Sequence, residues 1–264
     1  MSSATNATLA SHSGTWSATA RTVVEDVELP PGAWRNYEPL QLPPVLRHSL
    51  EAFATHGYHG TSVREIAKRL GQTVPAIYYH YANKQALLVT LLQGSMEEVL
   101  QRCQLAVAET EDGPVERFTA LVTCVVLYIG HRSELIALDA EMNSLEPDNR
   151  RTYVALRDQL EAMVVAAVEE GIEEGSFTTE YPSDAARAVL TMCLGIANWY
   201  DPQGPLAPED VAERYAAFAL GIVGHRPTKR RRRRGATPGA PASLQLPAGG
   251  SSRSTRLSSL PVAL

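Results

Sequence analysis

Between Thr61 and Lys84 the chain gathers side chains suited to the surface of a polyanion. Tyr78, Tyr79, His80 and Lys84 carry phenol, imidazole and ammonium groups that can donate to phosphate oxygens, contacts that fix register without reading sequence. Arg64, Gln72, Thr73 and Ala76 bring guanidinium, amide, hydroxyl and methyl groups, the types that discriminate base edges. The chemistry is binding. No glycine-rich phosphate loop, nucleophile elbow, metal-ligand pair at helical spacing or acid/base carboxylate constellation stands out, so neither an enzyme nor a cofactor is expected. Glu169-Glu170 with Glu173-Glu174 reads as a solvated acidic face. Tyr78 and Tyr81 could instead be core aromatics, and His80 an ordinary surface histidine.

Those groups need a rigid mount, and the local pattern supplies one. Residues 57–84 read as a helix, a glycine turn and a second short helix, a helix-turn-helix that can lay one helix in a DNA major groove. Thr61 or Ser62 can cap the first helix, and Thr73 the second, where Pro75 falls in the first turn at no hydrogen-bonding cost. Ile66, Leu70, Val74 and Ile77 form an apolar seam, and Gly71 sits where the chain needs a positive φ. A preceding helix from Pro43 to about His56 presents Val45, Leu46, Leu50 and Phe53 to the back of this pair, and Asn83 caps a following helix.

The run from about Leu42 to Leu88, with Phe53 to Tyr58, Thr61 to Ala67, Ala76 to Tyr81 and Asn83 to Leu88, resembles the N-terminal domain of the tetracycline-repressor (TetR) family of bacterial regulators. The resemblance implies a homodimer of all-helical subunits that binds a palindromic operator in double-stranded DNA and leaves it when a small molecule enters the C-terminal domain. Carried over residue by residue, the family's phosphate contacts fall on Thr61, Tyr78, His80 and Lys84. Its base-reading surface falls on Arg64, Gln72, Thr73, Ala76 and Tyr79. Gln72 to Pro75 depart from the valine, serine and small residue of many members, which leaves the operator sequence unread.

Charge is unevenly spread over the 264 residues, whose formal net charge is −5. Residues 41–90 carry five basic and two acidic side chains, a local +3, whereas residues 91–224 carry eight and 23, a local −15. Of the parts expected to fold, only the first suits a polyanion. Cys103, Cys124 and Cys193 are too few and too dispersed for a disulfide framework or zinc site, and read as reduced core residues. No apolar stretch approaches the roughly 20 residues of a membrane span, and a cytoplasmic location is expected.

Four parts follow: a disordered or loosely docked leader over 1–40, a DNA-binding domain over 41–90, a helical ligand-binding and dimerisation domain over 91–224, and a disordered basic tail over 225–264. In the leader, Trp16 and Trp34 should find something to cover them. Helical patterns run from Val115 to about Gly130, Ser133 to Ser144, Asp148 to Glu174, Ser183 to Tyr200 and Pro208 to Gly224, with no convincing strand, so the expected fold is all-α. The last two helices are apolar all round and must be covered on all sides. Val189, Cys193, Ile196, Tyr215, Phe218, Ala219 and Ile222 are therefore the expected dimer interface, with a monomer's internal helix pair as the alternative.

Phe118, Tyr128, Met142, Asn143, Tyr153, Arg157, Met192 and Trp199 are candidate lining for an effector cavity between helices, although core packing is the blander role for most of them. Asn198 to Leu206 is similar to the matching turn in family members that control steroid and fatty-acid breakdown, some of which respond to acyl-coenzyme A thioesters. On that resemblance Arg102, Arg150, Arg151 or Arg157 at a pocket mouth could pair with phosphates, while the acidic body leaves a neutral lipophile equally open. The tail's Lys229 and Arg230 to Arg234 could track phosphates beyond the operator, or reflect compositional drift. The rival readings are an architectural or adaptor helix-turn-helix protein without effector, and a ligand-dependent activator.

Overall fold

A computed structural model describes residues 29–225, and the expectations for Trp16 and for the arginine-rich tail lie outside that range. Within it the chain forms α1 (Pro44–Gly60), α2 (Val63–Leu70), α3 (Val74–His80), α4 (Lys84–Ala108), α5 (Pro114–His131), α6 (Ser133–Ala137), α7 (Pro147–Glu173), α8 (Pro182–Leu194) and α9 (Pro208–Ile222). Two 3-10 stretches, Leu138–Ser144 and Gly195–Asn198, replace the ends of the expected helices over 133–144 and 183–200. No strand occurs among the described residues, and the fold is all-α.

Helix starts divide into two kinds. Ser62 and Glu65 open α2 with a reciprocal capping box, the Ser62 hydroxyl accepting from the Glu65 amide at 3.3 Å and the Glu65 carboxylate from the Ser62 amide at 2.9 Å. The Thr73 hydroxyl accepts from the Ala76 amide at 3.4 Å, and the Asn83 side chain from the Ala86 amide at 2.8 Å. By contrast α1, α5, α7, α8 and α9 each begin on a proline without a side-chain cap, the position where a missing N–H is no loss. Helix α1 continues past His56 through a kink at Gly57, whose φ of 71° only glycine adopts readily. Gly71, at φ 63°, ends α2 as expected.

Two apolar cores share α4 and α7. The first joins Leu46, Leu50 and Phe53 of α1, Ile66 of α2, Ile77 of α3 and Leu87 to Leu92 of α4, and draws in Leu135, Leu138, Leu145 and Tyr153 from the body. The second packs Val99 and Cys103 of α4 against α5, α7, α8 and α9, and Met96 touches both. Cys103 and Cys124 face each other with sulfurs 3.7 Å apart, and that contact together with burial holds the Cys103 thiol well above its usual pKa. Residues 29–40, the described part of the leader expected as disordered or loosely docked, lie against the ends of α4 and α5, and Trp34 is covered as expected, only 3% exposed in the second core.

Candidate functional site

The outward face of α2 and α3 is polar and unsupported by the body. Arg64, Gln72, Thr73, Ala76, Tyr78, Tyr79 and His80 are all exposed, Tyr79 to 78%. On α3, Ala76, Tyr79 and His80 share one face by helical spacing, while Ile77 points into the core. The Tyr79 ring stands edge-on to His80 at 5.0 Å. Of the two tyrosines with a possible core role, Tyr81 is buried and Tyr78 is half exposed.

Three residues of the expected surface have inward duties. Thr61 is 3% exposed, and its hydroxyl lies 3.0 and 2.9 Å from the Ala52 and Gly57 carbonyls, so it closes the end of α1 and does not face a phosphate. The Lys84 ammonium donates to the Tyr58 and Thr61 carbonyls at 2.8 and 2.9 Å and sits 4.1 Å above the Tyr58 ring. Two of its three protons thus bind the α1 terminus to α4, leaving at most one for a phosphate. Ser62 is exposed but engaged in its cap.

A cavity of about 260 Å³ opens between α4, α5, α6, the Leu138–Ser144 stretch, α7 and α8. Tyr128, Met142, Tyr153 and Arg157 line it as expected from their types. Ser95, Asp139, Asp158, Glu161 and Arg187 also line it and were not foreseen, because polar residues on amphipathic helices carry no mark of which way a neighbouring helix leaves room. Side chains three apart eclipse in a 3-10 turn, and Asp139 and Met142 both reach the cavity from one. The Tyr153 hydroxyl donates to Asp139 at 2.5 Å; burial first, and that carboxylate second, push its pKa up. Arg157 lies 3.9 Å from Asp139, and Arg187 pairs with Glu161 at 3.0 Å. A more open groove lined by Arg150 and Arg151 adjoins the cavity at Val154 and Asp158.

The other four candidate lining residues are elsewhere. Phe118 is fully buried against Phe177, Asn143 is exposed, Met192 packs on the second core, and Trp199 lies half exposed outside, stacked on Tyr215 at 6.3 Å. Periodicity placed all four near apolar neighbours, but only packing decides which neighbour. Arg102 is likewise buried in a pair with Glu98 at 2.9 Å and is no pocket-mouth cation.

The expected dimer surface splits in two. Val189, Cys193, Ile196 and Ala219 are turned into their own subunit and cannot meet a partner, since α8 and α9 lay one side each on the second core. Phe218, 58% exposed, and Ile222 remain outside beside Tyr215, with Leu194 and Trp199 also exposed. No single helix among the described residues is long and apolar enough to cross a membrane.

A buried amide ties the end of α1 to the body. Gln85, at the start of α4, donates to the Tyr58 hydroxyl at 3.0 Å and the Ser144 carbonyl at 3.1 Å, and accepts from the Glu146 amide at 2.8 Å. The cavity-lining 3-10 stretch is thus joined to the end of α1 through Gln85, and Ser144 also lies 3.4 Å from the His59 ring.

Comparison with known proteins agrees with this arrangement. The pattern of "Bacterial regulatory proteins, tetR family" matches residues 45–91, and that of "Tetracyclin repressor-like, C-terminal domain" matches residues 111–223. The HTH-type transcriptional repressor KstR2 of Mycobacterium tuberculosis is 30% identical over 182 residues, covering 68% of this chain and 90% of the relative. A tetR-family regulatory protein from Rhodococcus RHA1 superposes with a TM-score of 0.65 at 25% identity, over 69% of this chain and 96% of that one. The structure described as AibR in complex with isovaleryl coenzyme A and operator DNA gives 0.58 at 26% identity, over 69% and 97%. With a capped helix-turn-helix at one end, a hollow helical body at the other and both halves matched, the chain belongs to the TetR family of bacterial transcriptional regulators.

Proposed function

We propose that this regulator is a dimeric repressor, working in the cytoplasm, that holds a palindromic operator through α2 and α3 and lets go when a small molecule fills the cavity. The observation that carries the reading is the set of exposed groups on a tightly capped helix pair, Arg64, Gln72, Thr73, Ala76, Tyr78, Tyr79 and His80. Residues 41–90 act as the DNA-binding domain and 91–224 as the ligand and dimer domain. A second copy covers Phe218, Ile222, Tyr215 and Trp199, and to enter successive major grooves the two α3 helices of such a dimer must stand about 34 Å apart. Repression is supported by the name of KstR2.

The effector is a lipophile or an acyl-coenzyme A thioester. The cavity's apolar walls suit a hydrocarbon part, and Arg150 and Arg151 in the adjoining groove suit phosphates. Support for the thioester comes from the AibR complex, which holds isovaleryl coenzyme A. By linkage, an effector favouring one placement of the helix-turn-helix weakens operator binding by the same factor, typically about 1–3 kcal/mol of coupling, and Gln85 with α4 is the route.

Selection of bound duplexes from a random library tests the DNA reading. The expected result is a two-fold symmetric site whose recognition relaxes at one position in Gln72→Ala or Arg64→Ala, at a cost of about 1–3 kcal/mol. Equal affinity for every duplex would refute operator recognition and leave an architectural role. Thermal shift and operator release with lipophiles and acyl-coenzyme A thioesters then test the effector.

A further inference from the structure

We infer that residues 29–40 form a strap that reports the state of the effector cavity to the helix-turn-helix, a second route parallel to α4. The inference rests on the regulatory reading above. The strap is fixed at both ends to different cores. At its start, the Glu109 carboxylate at the end of α4 accepts from the Gly32 amide and from the Trp34 indole, each at 2.8 Å. At its end, the Leu40 carbonyl accepts from Arg47 of α1 at 2.5 Å and Leu42 enters the first core, immediately before Pro44 begins α1. Any shift of the strap is thus a shift at the root of the DNA-binding unit.

Its middle rests on two buried arginines. Arg102 and Arg132 share the Glu98 carboxylate at 2.9 and 3.1 Å, so one acid faces two cations. The strap completes their coordination: Arg102 bonds to the Ala33 carbonyl and reaches that of Asn36 at 3.3 Å, and Arg132 donates to the Glu38 carbonyl at 3.1 Å. Tyr37 lies under both guanidinium groups, 4.0 Å from Arg102 and 5.2 Å from Arg132, and stacks on His131 at 4.4 Å. Buried under the strap, the two cations have more N–H donors than the single Glu98 carboxylate can satisfy, and the strap carbonyls take up the remainder.

The same cluster touches the cavity. Tyr128 lines the cavity, and its ring centroid is 6.5 Å from that of Tyr37. Its hydroxyl donates to the Ser95 carbonyl at 2.8 Å, lies 3.0 Å from the Ser95 hydroxyl, and is 3.4 Å from the Glu98 carboxylate. A ligand group that engages this hydroxyl alters the field at Glu98, hence the grip of both arginines on the strap.

Hydrogen–deuterium exchange on the full chain tests the route without knowledge of effector or operator. Glu109→Ala, at the surface end of α4, should speed exchange over residues 32–38 by about tenfold or more, the lower bound corresponding to the loss of one of its two charge-assisted hydrogen bonds, since the other is exposed to water. It should also speed exchange in α1 and α2 while α9 stays unchanged. Tyr128→Phe should speed exchange over 32–38 by roughly threefold or more, and Ser95→Ala should repeat that effect without altering the ring. Unchanged strap exchange in both cavity variants overturns the inference, as does strap opening that leaves α1 and α2 untouched, or an equal rise everywhere including α9. Failure to select any preferred duplex would instead refute the DNA reading, and the exchange result would still decide the strap.

Discussion

The helix-turn-helix and the helical body solve opposite problems. In α2 and α3 the function lies in what is left exposed, and short-range devices hold those groups still: a capping box, a threonine cap and a left-handed glycine within 16 residues. In the body the proposed function lies in what is left unfilled, and the walls come from six elements. Its helices carry no side-chain caps at their proline starts and depend on packing instead. Local chemistry therefore builds the exposed helix-turn-helix face, and tertiary packing builds the cavity.

Four substitutions probe that contrast, from the largest effect down. Ile66→Ala removes a fully buried side chain from the first core and should cost about 2–5 kcal/mol in denaturant unfolding. Because α4 runs through both cores, the loss should appear in one transition by every spectroscopic probe; an early, separate melting of the N-terminal unit would break the picture of shared cores. Phe218→Glu should leave the subunit folded, the ring being 58% exposed, yet weaken dimerisation by about thirtyfold or more, near 2 kcal/mol. Sedimentation equilibrium reads this directly, and an unaltered association constant would place the interface elsewhere.

Gly171→Ala addresses packing in the body, where a new Cβ would come within 2.1 Å of the Phe177 ring. Overpacking of this kind should cost about 1–3 kcal/mol, visible as a lowered Tm. Ser62→Ala addresses local chemistry and should cost about 1 kcal/mol. Its pH dependence has a definite sign. The Ser62 amide, then its hydroxyl, hold the Glu65 carboxyl below its ordinary value of 4.5. A depressed carboxylate pKa stabilises the fold above the unfolded value, and that gain is lost as pH falls through the folded one. The gap between wild type and Ser62→Ala should therefore narrow, without closing, as pH falls below about 4.5, because the Glu65 amide to Ser62 hydroxyl bond does not titrate, whereas a gap constant with pH would show the hydroxyl acting without the carboxylate.

What could be read in the sequence follows the same division. Ser62, Thr73, Gly71 and Asn83 announce their roles within three or four residues, so the helix-turn-helix and the exposure of its polar face were legible. Thr61 misled because a hydroxyl beside a cap looks the same whether it faces solvent or the Ala52 carbonyl. In the body, periodicity identified apolar helices but not the partner of each stripe, which is why Val189 and Phe218 looked alike and face opposite ways. The Trp34–Glu109 hydrogen bond spans 75 positions, and nothing near either residue signals the other.

Both arginines lining the cavity are engaged before anything enters: Arg187 with Glu161, and Arg157 near Asp139, which also holds Tyr153. A visitor gains little from charge alone, since each attraction must displace one already in place. Response should hence depend steeply on the shape of the visitor's hydrocarbon portion, and abundant small anions should fail to trip the switch at any ordinary concentration.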